Sequence, residues 1–229
     1  MYSFILLSAG KGLRFGKDIP KQYLLLAGKP MLVHTLERVD KIDRIKEVVV
    51  VCEQEYVSLI KSYISDYRIC KKVIFVEGGK TRQESVYNAL QAVSCDKTII
   101  QEAARPLVTI SDFEKLIECP HPNVTYTYQI PYTVLKKDEN NNISGVLDRK
   151  ELVNIQLPQK FSKADLMHAH DQAIKEGRLF TEDASMVCCY CDTPVFCLQG
   201  TPYNVKMTEY VDLLYGEMLL KEEFVKESD

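Results

Sequence analysis

Short apolar runs alternate with helical spacing along this chain to about residue 130, the pattern of stacked βαβ units around a largely parallel sheet. The runs at 3–8, 46–52, 72–77, 97–101 and 123–130 read as strands. Between them, Pro30 opens a helix that continues to about Val39, a second spans Glu55–Ser65, a third Gln83–Ala92, and Ser111-Asp112 caps a fourth. The alternation breaks at Ile130–Asp148, where Pro131, the polar run Lys136–Ser144 and Gly145 separate two β-prone pieces, Tyr132–Lys136 and Ile143–Leu147. That predicts a hairpin arm at about 131–150 projecting from the body. A projecting hairpin has little core of its own, so the expectation is burial against a second copy of the chain. Helices follow at 162–175 and 183–190, a strand at 194–199, and a last helix from about Thr208 to Lys221. The expected fold is a single α/β domain over 1–229 with a mostly parallel sheet.

With 229 residues, 46% of them hydrophobic, the chain can bury one large core. A net charge of −3 and the lack of an extended basic face argue against non-specific nucleic-acid binding. No apolar run approaches the ~18 residues of a membrane span, and the N-terminus lacks the signal-peptide pattern, so a soluble cytoplasmic protein is expected. Eight cysteines include a CxxC spacing at Cys188–Cys191, with Cys197 nearby. The histidines at 34, 121, 168 and 170 lie on other segments without an HxxxH pattern, so a second zinc half-site is missing and reduced, partly buried thiols are expected.

Against this background one loop stands out. Only ten glycines occur in the chain, yet Gly10, Gly12 and Gly16 fall together in SAGKGLRFGKDIPKQY, Ser8 to Tyr23, directly after the apolar Phe4-Ile5-Leu6-Leu7. Glycines there let backbone N–H groups approach an anion without Cβ interference. Lys11, Arg14, Lys17 and Lys21 against the single Asp18 give the segment a local charge of +3 on an acidic chain, which points to a small phosphorylated partner. The spacing excludes a Walker A loop, since Gly10 to Gly16 is one residue too long and Lys17-Asp18 follows. It also excludes the dinucleotide fingerprint, whose third glycine would fall at Phe15.

Two further loops should emerge at the same carboxyl edge of the sheet, where ligands of open α/β folds bind. Gly78-Gly79-Lys80-Thr81-Arg82-Gln83-Glu84-Ser85 again places glycines between a strand and a helix, where backbone N–H groups and Ser85 could cradle a base or phosphate. Gln101-Glu102-Ala103-Ala104-Arg105-Pro106 ends a strand with a carboxylate suited to Mg²⁺ near a triphosphate, and with an arginine fork for phosphate. An intramolecular Glu102–Arg105 pair is the plain structural alternative. Thr181-Glu182-Asp183-Ala184-Ser185 reads as a helix N-terminus with Thr181 as cap and acids in the first turn. Lys206, just before the last helix, is by itself an ordinary solvated lysine.

In order and spacing, SAGKGLRFGKDIPKQY, GGKTRQES, EAARP, VLDRKELVNIQLPQKF, TEDAS and NVKMT resemble the cytidylyltransferases that make CDP-linked polyols. These are the 2-C-methyl-D-erythritol 4-phosphate cytidylyltransferases of the non-mevalonate isoprenoid pathway and the related ribitol-5-phosphate enzymes. The resemblance implies a Rossmann-like nucleotidyltransferase fold, a homodimer clasped by β-arms, and Mg²⁺-dependent attack of a polyol phosphate on the α-phosphorus of CTP. Residue by residue, it implies that Arg14, Lys21 and Lys206 act on the CTP phosphates and that Ala9, Gly10 and Gly12 form the phosphate loop. Gly79, Ser85 and Ala103 would complete the nucleotide site, with Glu102 as the metal ligand. Arg105, Thr133, Arg149 and Thr181 would serve the polyol phosphate, Thr133 and Arg149 coming from the other subunit. Two phosphates that must meet require fixed cations, and an acceptor oxygen already ionised at pH 7 needs no general base, consistent with the lack of any Ser/His/Asp or Cys/His array.

The chain departs from the family pattern at three points. Gln101-Glu102 stands where His-Asp is usual, Tyr132 replaces an Asp, and Leu157 replaces a Thr. The last two changes are expected on the acceptor side, while the CTP-side motifs are intact. Methylerythritol phosphate is the first expectation for the acceptor, from the AARP, TEDAS and Asp148-Arg149 patterns. Ribitol 5-phosphate or another polyol phosphate is the second, and an inactive nucleotide-binding dimeric scaffold is the third.

Overall fold

A computed structural model describes residues 1–10 and 19–221, so Gly12 and Arg14 lie outside the described residues. The chain runs β1 (Tyr2–Leu7), a one-turn 3-10 helix (Lys21–Tyr23), β2 (Leu25–Leu26), β3 (Lys29–Pro30), α1 (Met31–Asp40), β4 (Ile45–Cys52), α2 (Val57–Asp66) and β5 (Lys72–Glu77). Next come α3 (Arg82–Ala92), β6 (Lys97–Glu102), α4 (Ile110–Glu118), β7 (Asn123–Gln129), β8 (Leu135–Lys137) and β9 (Ile143–Val146). The last elements are β10 (Val153–Ser162), α5 (Lys163–Lys175), α6 (Asp183–Tyr190), β11 (Val195–Gln199) and α7 (Tyr210–Lys221).

Seven strands form one sheet in the order β11-β7-β10-β6-β1-β4-β5. Its pairings are parallel except at β10, which runs antiparallel to both β6 and β7. Central strands covered on both faces must be apolar on both, which is why Phe4–Leu7 and Val48–Val51 read as unbroken apolar runs. Alternate side chains still divide between two cores. Phe4, Leu6, Val48 and Val50 pack with Leu36 of α1, Ile60 of α2 and Phe113 of α4. Ile5, Val49 and Val51 pack with Leu90 of α3, Leu166 of α5 and Val187 of α6 on the other face.

Strand β10 carries no apolar run long enough to announce it, and Pro158 argues against a central position. The ladder accommodates the proline by skipping it. Gln156 pairs with Tyr126 and Gln159 with Thr125, so Leu157 and Pro158 sit in a bulge where the missing N–H leaves no partner unsatisfied. Two caps also differ from expectation. Thr109, two residues before Ser111, caps α4 and forms a capping box with Asp112. The final helix begins at Tyr210, with the Asp212 carboxylate accepting from the N–H groups of Thr208 and Glu209 at 2.6 and 2.8 Å.

Strands β8 and β9 form a separate two-stranded hairpin, as the break in alternation predicted. Its apolar side chains are turned outward: Tyr132, Leu135, Ile143 and Val146 are all exposed, Val146 at 79%. The eight cysteines are unpaired, and Cys188 and Cys189 lie exposed on α6. Among the described residues no helix is long and apolar enough to cross a membrane, and no cluster of three or more His, Cys, Asp or Glu side chains is arranged to hold a metal.

Candidate active site

The three predicted loops converge on a single cavity of about 1110 Å³ at the carboxyl edge of β1, β4, β5 and β6. Such a volume slightly exceeds the ~300–1,000 Å³ common for small-molecule sites. Ala9 and Gly10 line it from the first loop, Gly79 and Ser85 from the second, and Glu102 from the third. Lys21 and Lys206, 185 positions apart, line it as well.

The first loop leaves β1 under tight control. Ser8 donates its N–H to Val51 O at 2.8 Å, and the buried Gln22 amide donates to Ser8 O at 2.5 Å and to Gly10 O at 3.0 Å. Sequence reading passed over Gln22, although a buried amide inside a basic loop is the kind of residue that fixes backbone. Gly10 does not take a positive φ, so its use lies in the missing Cβ. Among the described residues, a Cβ there would meet no atom within 4 Å, so the glycine leaves open space at the cavity wall.

Gly78 is a steric requirement, since a Cβ on it would overlap that of Ala9 and push the first two loops apart. The amides of the second loop are already engaged within the protein: the N–H groups of Gly78, Gly79 and Lys80 go to Cys52 O at the end of β4, Ser85 Oγ and Glu84 Oε2 at 3.3, 3.0 and 2.7 Å. These amides therefore shape the loop, and the Ser85 hydroxyl, which also donates to Thr81 O at 2.9 Å, is part of that frame.

Glu102 is nearly buried and surrounded by cations. Lys206 Nζ lies 3.0 and 2.8 Å from its two carboxylate oxygens, Arg82 Nε 3.5 Å away and Arg105 Nε 3.8 Å away. Burial alone would raise the Glu102 carboxyl, but Lys206, Arg82 and Arg105 outweigh it and hold it below the usual carboxylate range. The Glu102–Arg105 pair thus exists, as one contact within a larger cluster. Arg105 itself faces inward, donating to Asn204 O at 2.9 Å, and is not part of the cavity lining.

Arg82 was not singled out from the sequence, and it joins the cluster together. Its guanidinium reaches Glu102, Glu182 at 3.3 Å and the fully buried Asp183 at 2.8 Å. Burial pushes Glu182 upward, while Arg82 and His170 pull Asp183 below its usual value against its own burial. A signal was present: an arginine in the first turn of α3 opposes the helix dipole, a local rule broken for a tertiary reason. Thr181 does not cap α6. The N-cap is Glu182, with no side-chain capping bond, because the acids of this turn face Arg82.

Lys206 is set in position by β10. Gln156 Nε2 donates to Thr201 O at 2.9 Å, Asn204 Nδ2 donates to Leu157 O, and Met207 N donates to Ala104 O at 2.8 Å. Leu157 is fully buried in the second core, so this departure from the family pattern falls on packing rather than on the acceptor side. Ala103 is likewise buried, its N–H engaged by Leu7 O at 3.0 Å, and Ala104 lines the cavity in its place. Thr133 and Arg149 lie exposed on the arm, where Arg149 Nη1 donates to Pro131 O at 3.1 Å, and neither lines the cavity of its own chain. Thr181 is exposed and also outside that lining.

The cavity is one that could hold a nucleoside triphosphate beside a carboxylate. Residues 3–222 match the family described as IspD, 2-C-methyl-D-erythritol 4-phosphate cytidylyltransferase. The chain belongs to that family. A relative of that name from Geobacillus thermodenitrificans is 37% identical over 225 residues, covering 96% of each chain. One from Dictyoglomus thermophilum is 36% identical over 222 residues, covering 94% of this chain and 95% of that protein. The chloroplastic rice protein is 35% identical over 224 residues, covering 96% of this chain and 74% of its own. Among solved structures, the Anaerococcus prevotii 4-diphosphocytidyl-2C-methyl-D-erythritol synthase superposes with a TM-score of 0.84 at 24% identity, covering 96% of both chains. The Francisella tularensis family member gives 0.76 at 25% identity, over 95% of this chain and 98% of that one. The mostly parallel seven-stranded sheet is the fold expected of a member.

Proposed function

We propose that this protein transfers CMP from CTP to 2-C-methyl-D-erythritol 4-phosphate and releases pyrophosphate. The observation that carries the reading is the meeting of Lys206 and Glu102 in a cavity shared with both glycine loops. An acceptor phosphate oxygen attacks the α-phosphorus of CTP, a new P–O bond forms, and the bond to the β-phosphate bridging oxygen breaks. Lys21 and Lys206 supply fixed positive charge to the phosphates, with Arg14 assigned the same task by its motif.

The donor set suits Mg²⁺, which commonly binds through one or two carboxylates completed by substrate phosphates and water. Glu102 would hold it, and when bound it would neutralise charge on the triphosphate. Glu102 already receives a cation on both oxygens, that of Lys206, and nucleotide phosphates would draw Lys206 away from the carboxylate. Arg105, buried behind Glu102, holds the Asn204 carbonyl at 2.9 Å and so steadies the segment that carries Lys206.

The outward apolar side chains of the arm support a homodimer in which Thr133 and Arg149 serve the acceptor site of the other subunit. Unpaired cysteines support a reducing, cytoplasmic setting. The class is tested by incubating the protein with CTP, Mg²⁺ and a panel of polyol phosphates and measuring pyrophosphate release. Release is expected with methylerythritol phosphate. Release with ribitol 5-phosphate alone would move the acceptor, and none with any member of the panel would overturn the enzyme reading.

Arg149→Ala is expected to raise the acceptor KM roughly tenfold, the loss of one charge-assisted contact, with little change in the KM for CTP. Steady-state kinetics in both substrates decides this, and equal shifts would remove Arg149 from the acceptor site. Mixing that variant with Arg14→Ala should recover part of the activity if sites are shared between subunits.

A further inference from the structure

Arg82 lies at the centre of the cluster, facing Glu102, Glu182 and Asp183. We propose that Arg82 is a positioning residue that holds Glu102 in the geometry for metal and triphosphate once Lys206 has turned to the nucleotide; this rests on the functional reading just given.

Lys206 makes the two short contacts to Glu102, yet its side chain is 39% exposed and it must leave the carboxylate to reach a phosphate. Without Lys206, Glu102 would stand nearly buried with Arg82 and Arg105 as its neighbours. Arg82 is the better held of the two. Its Nη1 is anchored at 2.8 Å on Asp183, which is 1% exposed, and its Nη2 lies 3.3 Å from Glu182. Glu182 in turn receives the Gln159 amide at 3.3 Å. The guanidinium therefore spans the N-terminus of α3, the N-terminus of α6 and the end of β6.

Its Nε and Nη2, like Arg105 Nε, are buried donors without a well-formed hydrogen bond in this state, and Arg82 Nε faces Glu102 Oε1. At 3.5 Å, Arg82 Nε is within a small shift of bonding the carboxylate that Lys206 gives up. A planar fork can face three carboxylates from one fixed position, whereas a lysine ammonium on a flexible stem cannot. Arg82 reaches the cavity wall, and its guanidinium is turned to the three carboxylates, so it orients the metal-binding group from beside it; partners that orient a ligand in this way commonly govern metal affinity.

The test measures metal binding apart from turnover. Mn²⁺ affinity is read by electron paramagnetic resonance on the protein saturated with α,β-methylene CTP, which cannot be cleaved. Arg82→Gln alone leaves Asp183 buried without its main partner, so it is combined with Asp183→Asn, which restores charge balance inside the cluster. The double variant is expected to weaken Mn²⁺ at least about tenfold, with thermal stability near wild type. Arg82→Lys keeps the charge and loses the fork, and should show an intermediate loss of Mn²⁺ affinity together with a lower kcat and a nearly unchanged KM for CTP.

A folded double variant with wild-type Mn²⁺ affinity would overturn the proposal. If the double variant does not fold, Arg82→Lys decides alone, and wild-type Mn²⁺ affinity and kcat in that variant overturn it equally. Failure of the wild type to bind Mn²⁺ in a nucleotide-dependent way would instead sink the functional reading, and this proposal with it.

Discussion

Lys206→Ala is expected to lower kcat/KM for CTP by about 10²–10³-fold while the protein stays folded. A fixed donor aimed at charge that develops in the transition state commonly carries an effect of that size. The fold should tolerate the change because the lysine is partly exposed and its pairing with Glu102 is one of several. Arg82 and Arg105 remain 3.5 and 3.8 Å from the carboxylate, so no buried charge is orphaned. The stability cost should resemble that of an exposed ion pair, about 0–1 kcal/mol. Steady-state kinetics and thermal denaturation on one preparation separate the two effects. A near-normal rate would take Lys206 out of the reaction, and a collapsed melting temperature would make it a structural residue.

Asp183→Ala should act in the opposite sense, costing stability first. Asp183 is fully enclosed, holds Arg82 Nη1 at 2.8 Å and lies 3.6 Å from the buried His170. Removing one partner of a buried ion pair leaves uncompensated charge, and about 3–5 kcal/mol is the usual cost. Urea denaturation at pH 7 measures it, and a loss below about 1 kcal/mol would show that Glu102 and Glu182 alone satisfy Arg82.

The same residue has a pH signature. Its folded carboxyl is held below the ordinary ~3.9 by Arg82 and His170 despite burial. Its contribution is therefore present above about pH 4 and is lost as pH falls through the lower folded value. Glu182, pushed upward by burial, works the other way and gains stability as it takes up a proton. Asp183→Asn should accordingly flatten the acid limb of stability below pH 4 relative to wild type.

Much of the site was legible because it is built from local patterns. A glycine cluster after an apolar strand, a second such cluster before a helix, and a carboxylate at a strand end each have a signature spanning only a few residues. The carboxyl edge of a parallel sheet then predicts that they meet, and they do. Illegible were the residues whose meaning is a distant partner. Arg82 sits inside a motif that was read, yet its three carboxylates come from β6 and from the start of α6, 20 or more positions away. Thr181 looked like a cap because caps are recognised locally, whereas the acids beside it are oriented by an arginine about a hundred residues earlier.

Strand β10 shows the same division within the fold. Val153–Leu157 alternates apolar and polar residues, but Pro158 interrupts the strand and speaks against a central position. Pairing on both sides and a bulge at Leu157-Pro158 override the proline, and Gln156 and the Leu157 carbonyl then set the segment that carries Lys206. From the chain alone came the α/β class, the meeting of the glycine loops at one edge of the sheet and the family, all of which rest on short-range spacing. The tertiary structure decided which cation faces which carboxylate, which backbone amides are already engaged, and which alanine lines the cavity. Those outcomes depend on packing between segments far apart in sequence, where Coulomb attraction and burial, not neighbouring residues, select the partner.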